Sequence, residues 1–182
     1  YLRCIPNMVI CTPSDENETR KLLTTAYLHN GPASVRYPRG TGPNSNINKN
    51  LQPVKIGEAN IIKEENSKIV ILNFGTLLEE AKQVSKDLKA TLVDMRFVKP
   101  LDEKLLKKLF KKAEVFISIE DGSIMGGAGS AVQEFVSKEG LNIKSILFGI
   151  PDRFIEHASR EEMLSEAGLD INSIKSRLNK LL

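Results

Sequence analysis

No apolar run in this sequence approaches the ~18 residues needed to cross a bilayer, which excludes a membrane-spanning helix and a membrane partner. There is no Gly-x-x-x-x-Gly-Lys-[Ser/Thr], so a P-loop is excluded, and no serine or cysteine sits in a nucleophile-elbow motif. The two histidines, His29 and His157, have no neighbour at metal-ligand spacing and read as surface or loop residues. The two cysteines, Cys4 and Cys11, form no Cys-x-x-Cys and read as reduced, structural thiols in a cytoplasmic setting. Excess charge is also missing. A formal net charge of +3, with lysines scattered or gathered on one helix face, gives no footprint for nucleic acid.

What remains is ordinary globular composition, 41% hydrophobic and 27% charged over 182 residues, enough for one good core with extra material. No signal-peptide pattern opens the chain, and its first residue is Tyr1 rather than methionine. The expectation is a piece of something longer.

The stretch from Val115 to Phe135 organises the rest. Val115 to Ile119 is a short apolar run typical of a strand buried on both faces, and Glu120 and Asp121 are expected to stop it. Gly122, Gly126, Gly127 and Gly129 follow, and from Ala128 apolar residues recur at helical spacing. Such a loop either faces a ligand or lets helix and strand pack closely. Gly127-x-Gly129-x-x-Val132 lacks the third glycine of a dinucleotide fingerprint and starts too late after its strand, so packing is the favoured role.

In chain order, Met8 to Cys11 reads as a strand. Ser14 or Asp15 caps a helix, with Asp15 to Glu18 at capping-box spacing and Leu22, Leu23, Ala26 and Tyr27 on its apolar side. Ala33 to Tyr37 is a second strand. These opening residues cannot bury an independent core and look like the tail of a larger α/β domain. Thr41 to Pro53, rich in Gly, Pro, Asn and Ser, reads as a linker. From Val54 the pattern is regular. Strands fall at Ile56 to Lys63, Lys68 to Phe74, Thr91 to Phe97, Val115 to Ile119 and Ile143 to Ile150. Helices follow Gly75, Asp102, Ala128, Ser159 and Asp170. Alternating strands and helices predict an α/β fold with a mostly parallel sheet covered on both faces. Lys104, Lys107, Lys108, Lys111 and Lys112 form the solvated face of the helix after Asp102.

Few residues carry chemistry. Glu120 and Asp121, adjacent on a strand, point to opposite faces and read as a polar strand end near helix N-termini rather than a metal site. Asp94 reads as bonded to nearby backbone or to a cation. Arg36-Tyr37-Pro38-Arg39-Gly40 lies at the carboxyl end of a strand, where open α/β sheets bind ligands, and the planar fork of arginine suits phosphate. On these grounds alone, anion binding and a structural salt bridge stand level.

Five segments add a resemblance: GPASVRYPRGTG, ILNFGTLLEEA, TLVDMRFVKPLDEKLL, IMGGAGSAVQEF and GIPDRFIEHASREEML. In this order they resemble the C-terminal part of the 1-deoxy-D-xylulose-5-phosphate synthase family, transketolase-like enzymes that use thiamine diphosphate. The chain departs from the pattern at Asn44 to Leu51 and at Ile119-Glu120-Asp121-Gly122, where relatives often carry Glu-Glu-Asn.

The resemblance implies residues 1–42 as the end of a pyrimidine-binding domain, 43–53 as linker and 54–182 as a transketolase-like C-terminal domain. That domain would be a three-layer α/β/α unit with a mixed five-strand sheet in order 1-3-2-4-5, strand 1 antiparallel. The loops at Gly75 and at Asp121 to Ser130 would flank one crevice. The parent enzyme would be a cytoplasmic homodimeric transferase. It would condense pyruvate with glyceraldehyde 3-phosphate, with loss of carbon dioxide, using thiamine diphosphate and Mg2+, and would feed isoprenoid precursor and thiamine synthesis. Arg39 matches the family residue that holds the acceptor phosphate, and Arg36 is expected in a structural salt bridge. The cofactor motif, the glutamate contacting the aminopyrimidine and the catalytic histidines lie in parts of the family absent here. The piece alone is therefore expected to be inactive, to bind no cofactor and to need the N-terminal part of the same enzyme. Two rival readings are a standalone module binding a phosphorylated regulator at the glycine loop and a purely structural dimerisation domain.

Overall fold

The computed structural model describes residues 1–38, 40, 42–43, 46–49 and 52–182. Two sheets organise them. The larger has five strands: β3 (Asn60–Lys63), β4 (Ile69–Phe74), β5 (Thr91–Asp94), β7 (Val115–Ser123) and β8 (Lys144–Ile150). Their spatial order is β3-β5-β4-β7-β8, with β3 antiparallel to β5 and every other pair parallel. Among these five strands this is the order 1-3-2-4-5 with an antiparallel first strand.

Alternation along the buried strands divides the core in two. Val70, Leu72, Phe74 and Phe116 face α3 (Glu103–Phe110) and α4 (Ala128–Lys138), where Leu106, Phe110, Val132 and Phe135 meet them. Ile71, Leu92, Ile117 and Ile119 face the other way. They pack on Ala81 and Val84 of α2 (Leu78–Leu88) and on Ile174 and Leu178 of α6 (Ile171–Leu181), with α5 (Arg160–Glu166) beside them. Helices therefore cover both faces, giving the three-layer arrangement. Three of these helices start at a capping side chain. Asp102 accepts from the Leu105 amide, Ser159 and Glu162 form a complete capping box, and Asp170 accepts from Asn172 and Ser173.

The smaller sheet has the order β2-β1-β6. β1 (Val9–Cys11) and β2 (Ala33–Val35) run parallel on either side of α1 (Glu16–Leu28), a βαβ unit. The third strand, β6 (Phe97–Lys99), comes from the later part of the chain and pairs antiparallel with β1.

Several expectations need correction. The strand read as Thr91 to Phe97 is two strands, because Arg96 takes φ +57 and turns the chain out of one sheet into the other. Glu120 and Asp121 do not stop β7, which runs on to Ser123 through an irregularity against β8. Leu23 and Tyr27 are exposed, and α1 buries Glu18, Leu22 and Thr25 instead. Asp15 caps α1 by accepting from Glu18 N. The Glu18 side chain is engaged by Arg96 and Lys21, so only half of that capping box forms. Cys11 is buried, and burial pushes its thiol up to about 12, but Cys4 is exposed and has no structural role in the core.

Candidate functional site

β2 delivers the Arg36-Tyr37-Pro38 segment to the carboxyl edge of the parallel strands. The Arg36 amide donates to the Cys11 carbonyl at 2.9 Å, extending the ladder one residue past β2. Its guanidinium then reaches across to β7. Nη1 donates to Asp121 Oδ1 at 2.6 Å and Nη2 to the Asp121 carbonyl at 2.8 Å. The other carboxylate oxygen of Asp121 accepts from the Thr76 hydroxyl at 3.0 Å, and that hydroxyl accepts from Arg160 at 3.3 Å. The exit of β2, the β4–α2 turn, β7 and the first residue of α5 thus converge on one carboxylate. Gly75 makes this possible. It takes φ +95, and a Cβ there would lie 3.1 Å from Asp121 Oδ1. The salt bridge expected of Arg36 is present, and its partner was not foreseen.

Tyr37, Pro38 and Gly40 line a cleft of about 860 Å3 together with Thr76, Arg160 and residues from the N-terminal ends of α1 and α2. Its described lining holds Arg20, Lys82 and Arg160 against Asp15, Glu16, Glu79 and Glu80, a near-balanced set of charges. Arg39 lies outside the described residues. The turn at Gly75 and the segment from Asp121 do meet, through the Thr76–Asp121 bond.

Behind this cleft sits a buried polar pin. The Ser14 hydroxyl donates to Asp94 Oδ2 at 2.6 Å, and Asp94 is 1% exposed. Burial pushes the Asp94 carboxyl up to about 6, against the pull of Ser14; the nearby Glu18 charge adds to the rise and Arg96 opposes it. Arg96 donates through Nε and Nη2 to the two oxygens of Glu18, at 2.7 and 3.0 Å. Desolvation would raise the Glu18 carboxyl, but its bonds to Arg96 and Lys21 prevail and hold it below its usual range. The expected backbone and cation are both supplied by Arg96, which opposes the rise of the Asp94 carboxyl through its backbone and its charge. The partner not foreseen is the Ser14 hydroxyl, 80 residues away in sequence.

Glu120 is an internal cap. It accepts from the Ala128 and Gly129 amides at 2.9 and 2.8 Å, holding the start of α4, which has no capping side chain of its own. Burial raises its carboxyl despite these two amides. The glycine loop is packed. A Cβ on Gly127 would lie 2.0 Å from the Ser123 carbonyl, and one on Gly129 would lie 2.4 Å from Ser118 Oγ. The five lysines around α3 are exposed. His157 is exposed, and His29 ends α1.

The family models fit this architecture. That of the transketolase C-terminal domain matches residues 57–174, and that of the transketolase pyrimidine-binding domain matches residues 1–44. The chain belongs to the transketolase C-terminal domain family. This transketolase-family chain is 52% identical, over all 182 residues, to the 1-deoxy-D-xylulose-5-phosphate synthase of Pseudomonas paraeruginosa PA7. It is 53% identical to that of Stutzerimonas stutzeri A1501. In both cases it spans 29% of the relative's length. Among solved structures it is similar to a split-gene transketolase described as an inactive β4 tetramer, with TM-score 0.82 and 26% identity, over 98% of this chain and 59% of the other. The transketolase of Campylobacter jejuni shares the fold, with TM-score 0.68 and 18% identity over 98% and 27%.

Transketolase relatives imply thiamine diphosphate in the full enzyme. No group of three or more His, Cys, Asp or Glu among them is placed to hold a metal ion, and the acids of β7 are engaged by α4, Arg36 and Thr76.

Proposed function

We propose that this chain is the C-terminal part of a 1-deoxy-D-xylulose-5-phosphate synthase and that Arg39 holds the phosphate of glyceraldehyde 3-phosphate. The observation that carries the assignment is the fate of the other arginine in RYPRG. Arg36 is paired with Asp121 at 2.6 Å, which supports leaving the substrate phosphate to Arg39. The 52% identity across the whole chain supports the same reading.

Residues 1–42 then form the end of the pyrimidine-binding domain, 43–53 a linker and 54–182 the C-terminal domain. The full-length parent is a cytoplasmic homodimer. It joins pyruvate to glyceraldehyde 3-phosphate with loss of carbon dioxide, the first step toward isoprenoid precursors by the non-mevalonate route, and also supplies thiamine synthesis. Thiamine diphosphate and Mg2+ belong to the part of the parent that this chain must join. The piece alone is inactive and binds neither. The split-gene transketolase it resembles is described as an inactive tetramer, which supports extending that inactivity to this chain.

Within the full-length enzyme, an arginine–phosphate contact is worth roughly 1.5–3 kcal/mol, or about ten- to 150-fold in binding. Arg39→Ala is expected to raise KM for glyceraldehyde 3-phosphate by at least about tenfold while barely moving KM for pyruvate. Steady-state kinetics with each substrate varied in turn checks this, and an unchanged requirement for the aldehyde overturns the assignment.

A further inference from the structure

We infer that the turn Leu2–Cys4 is a strap that fastens the glycine loop before α4, so that a segment matched to the pyrimidine-binding domain sets the order of a loop in the C-terminal domain. Arg3 makes the fastening. Its Nη1 donates to the Gly126 and Gly127 carbonyls at 3.0 and 3.2 Å, and its Nη2 donates to the Glu134 carboxylate on α4. From the other side, Lys99 at the end of β6 donates to the carbonyls of Arg3 and Ile5 at 2.9 and 2.7 Å. The strap is gripped by one strand and itself grips the loop.

The loop is held in both polarities. Glu120 takes the Ala128 and Gly129 amides, and Arg3 takes the two carbonyls just before them. Gly126 stands at φ +69 with nothing for a side chain to pack on, so its backbone is ordered by those bonds and not by contacts. Without Arg3 the Gly126 and Gly127 carbonyls turn to water, and the most permissive backbone of the loop regains its freedom. The carbonyls carry more of this than the ion pair does. The Arg3 side chain is 19% exposed but that of Glu134 is 69%, and a charge that open contributes little.

The fastening is polar alone. None of residues 2–7 is buried, and among the described residues every hydrogen bond from residues 2–5 to the rest of the molecule runs through Arg3 or Lys99. Met8 is the first residue packed against a core. Asn7, just before it, takes φ +58, a left-handed conformation that asparagine enters more readily than most residues, and supplies a hinge where strap meets strand. A segment with no buried apolar anchor opens at low cost while the sheets behind it stay closed.

Hydrogen exchange of the 182-residue chain, read at single amides by NMR, tests this. Arg3→Ala is expected to speed exchange at Ala128 and Gly129 by at least about fivefold, with Ile71 and Ile117 inside the five-stranded sheet within about twofold of wild type. Arg3→Lys keeps the charge but loses the fork and is expected to fall between the two. Glu134→Gln is expected to change the loop by less than about twofold. Lys99→Gln, which frees the strap from β6 without touching the loop, is expected to speed the same two amides while Ile10 stays protected. Unchanged exchange at Ala128 and Gly129 in Arg3→Ala overturns the strap. An equal rise at Ile71 and Ile117 does so too, because Arg3 then serves global stability. A Lys99→Gln chain with an unchanged loop shows Arg3 acting as a lone side chain, which also overturns it. If Lys99→Gln loses protection at Ile10, Arg3→Lys decides: a loop as fast as in Arg3→Ala or slower supports the strap only when it exceeds wild type, and one equal to wild type overturns it.

Discussion

Among single residues, Asp94 carries the most unusual electrostatics. Its carboxyl lies at about 6, raised from an ordinary value of 3.8 by burial. Below the lower value it is protonated in both states. As pH climbs from there toward 6, the unfolded chain releases its proton while the folded chain keeps it, so the stability this group supplies is lost as pH passes about 6. At about 1.4 kcal/mol per pH unit, the difference amounts to roughly 2–3 kcal/mol. Asp94→Asn removes that dependence. Urea unfolding at pH 4 and pH 7.5 is expected to show the wild type losing about 2 kcal/mol relative to the variant over that span, and a constant difference between the two proteins excludes this role. Glu18 works in the opposite sense. Its carboxyl is held down, so its contribution is present above its ordinary value of 4.5 and is lost as pH falls through the depressed one. The Asn substitution isolates Asp94 because it leaves Glu18 and Arg96 in place.

For the elements, the strand–glycine–helix unit separates two uses of glycine. Gly126 takes φ +69, and a Cβ there would meet nothing within 4 Å, so it serves conformation alone. Gly127 and Gly129 serve space, since a methyl there meets the Ser123 carbonyl at 2.0 Å or Ser118 Oγ at 2.4 Å. Gly126→Ala is expected to cost about 1–2 kcal/mol of backbone strain. Gly127→Ala adds steric conflict with backbone, and is expected to cost about 3 kcal/mol or more while loosening the Glu120 cap on α4. Chemical denaturation of the alanine variants at Gly126, Gly127 and Gly129 ranks them, and a Gly127 variant as stable as the Gly126 one contradicts the packing role. Much of this layout was legible in the sequence. Short apolar runs and period-3.6 faces marked the strands and helices, and Asp102, Ser159 and Asp170 announced their helices. The break at Arg96 was not legible, because Thr91 to Phe97 reads as one apolar strand and nothing local says that Phe97 joins another sheet. Arg36 was recognisable as a salt-bridge residue, but its partner lies 85 residues away and touches it only in the folded chain. Asp94 and Ser14 were hidden for the same reason.

Across the whole molecule, the question is how an opening segment with so little core stays folded. Val9, Ile10, Cys11 and Leu22 are its buried apolar residues; Ile10 packs into one core of the larger sheet, and the fourth member of the cluster made by the other three, Phe97, is 0% exposed and belongs to β6. β6 also supplies one of the two neighbours of β1, and Arg96, one residue before it, holds Glu18 of α1. The later part of the chain thus completes the earlier part rather than merely adjoining it. Truncating a buried phenylalanine costs about 3–5 kcal/mol, more than such a small cluster can absorb. Phe97→Ala is therefore expected to release β1, α1 and β2 while the five-stranded sheet, with a core on each face, persists. Hydrogen exchange of the 182-residue chain reads this directly. In the wild type the amides of Ile10 and Leu22 and those of Ile71 and Ile117 are expected to be protected together, and in the variant only the second pair stays protected. Retained protection at Ile10 would mean that β1 and α1 hold without β6, and that the two sheets are independent units.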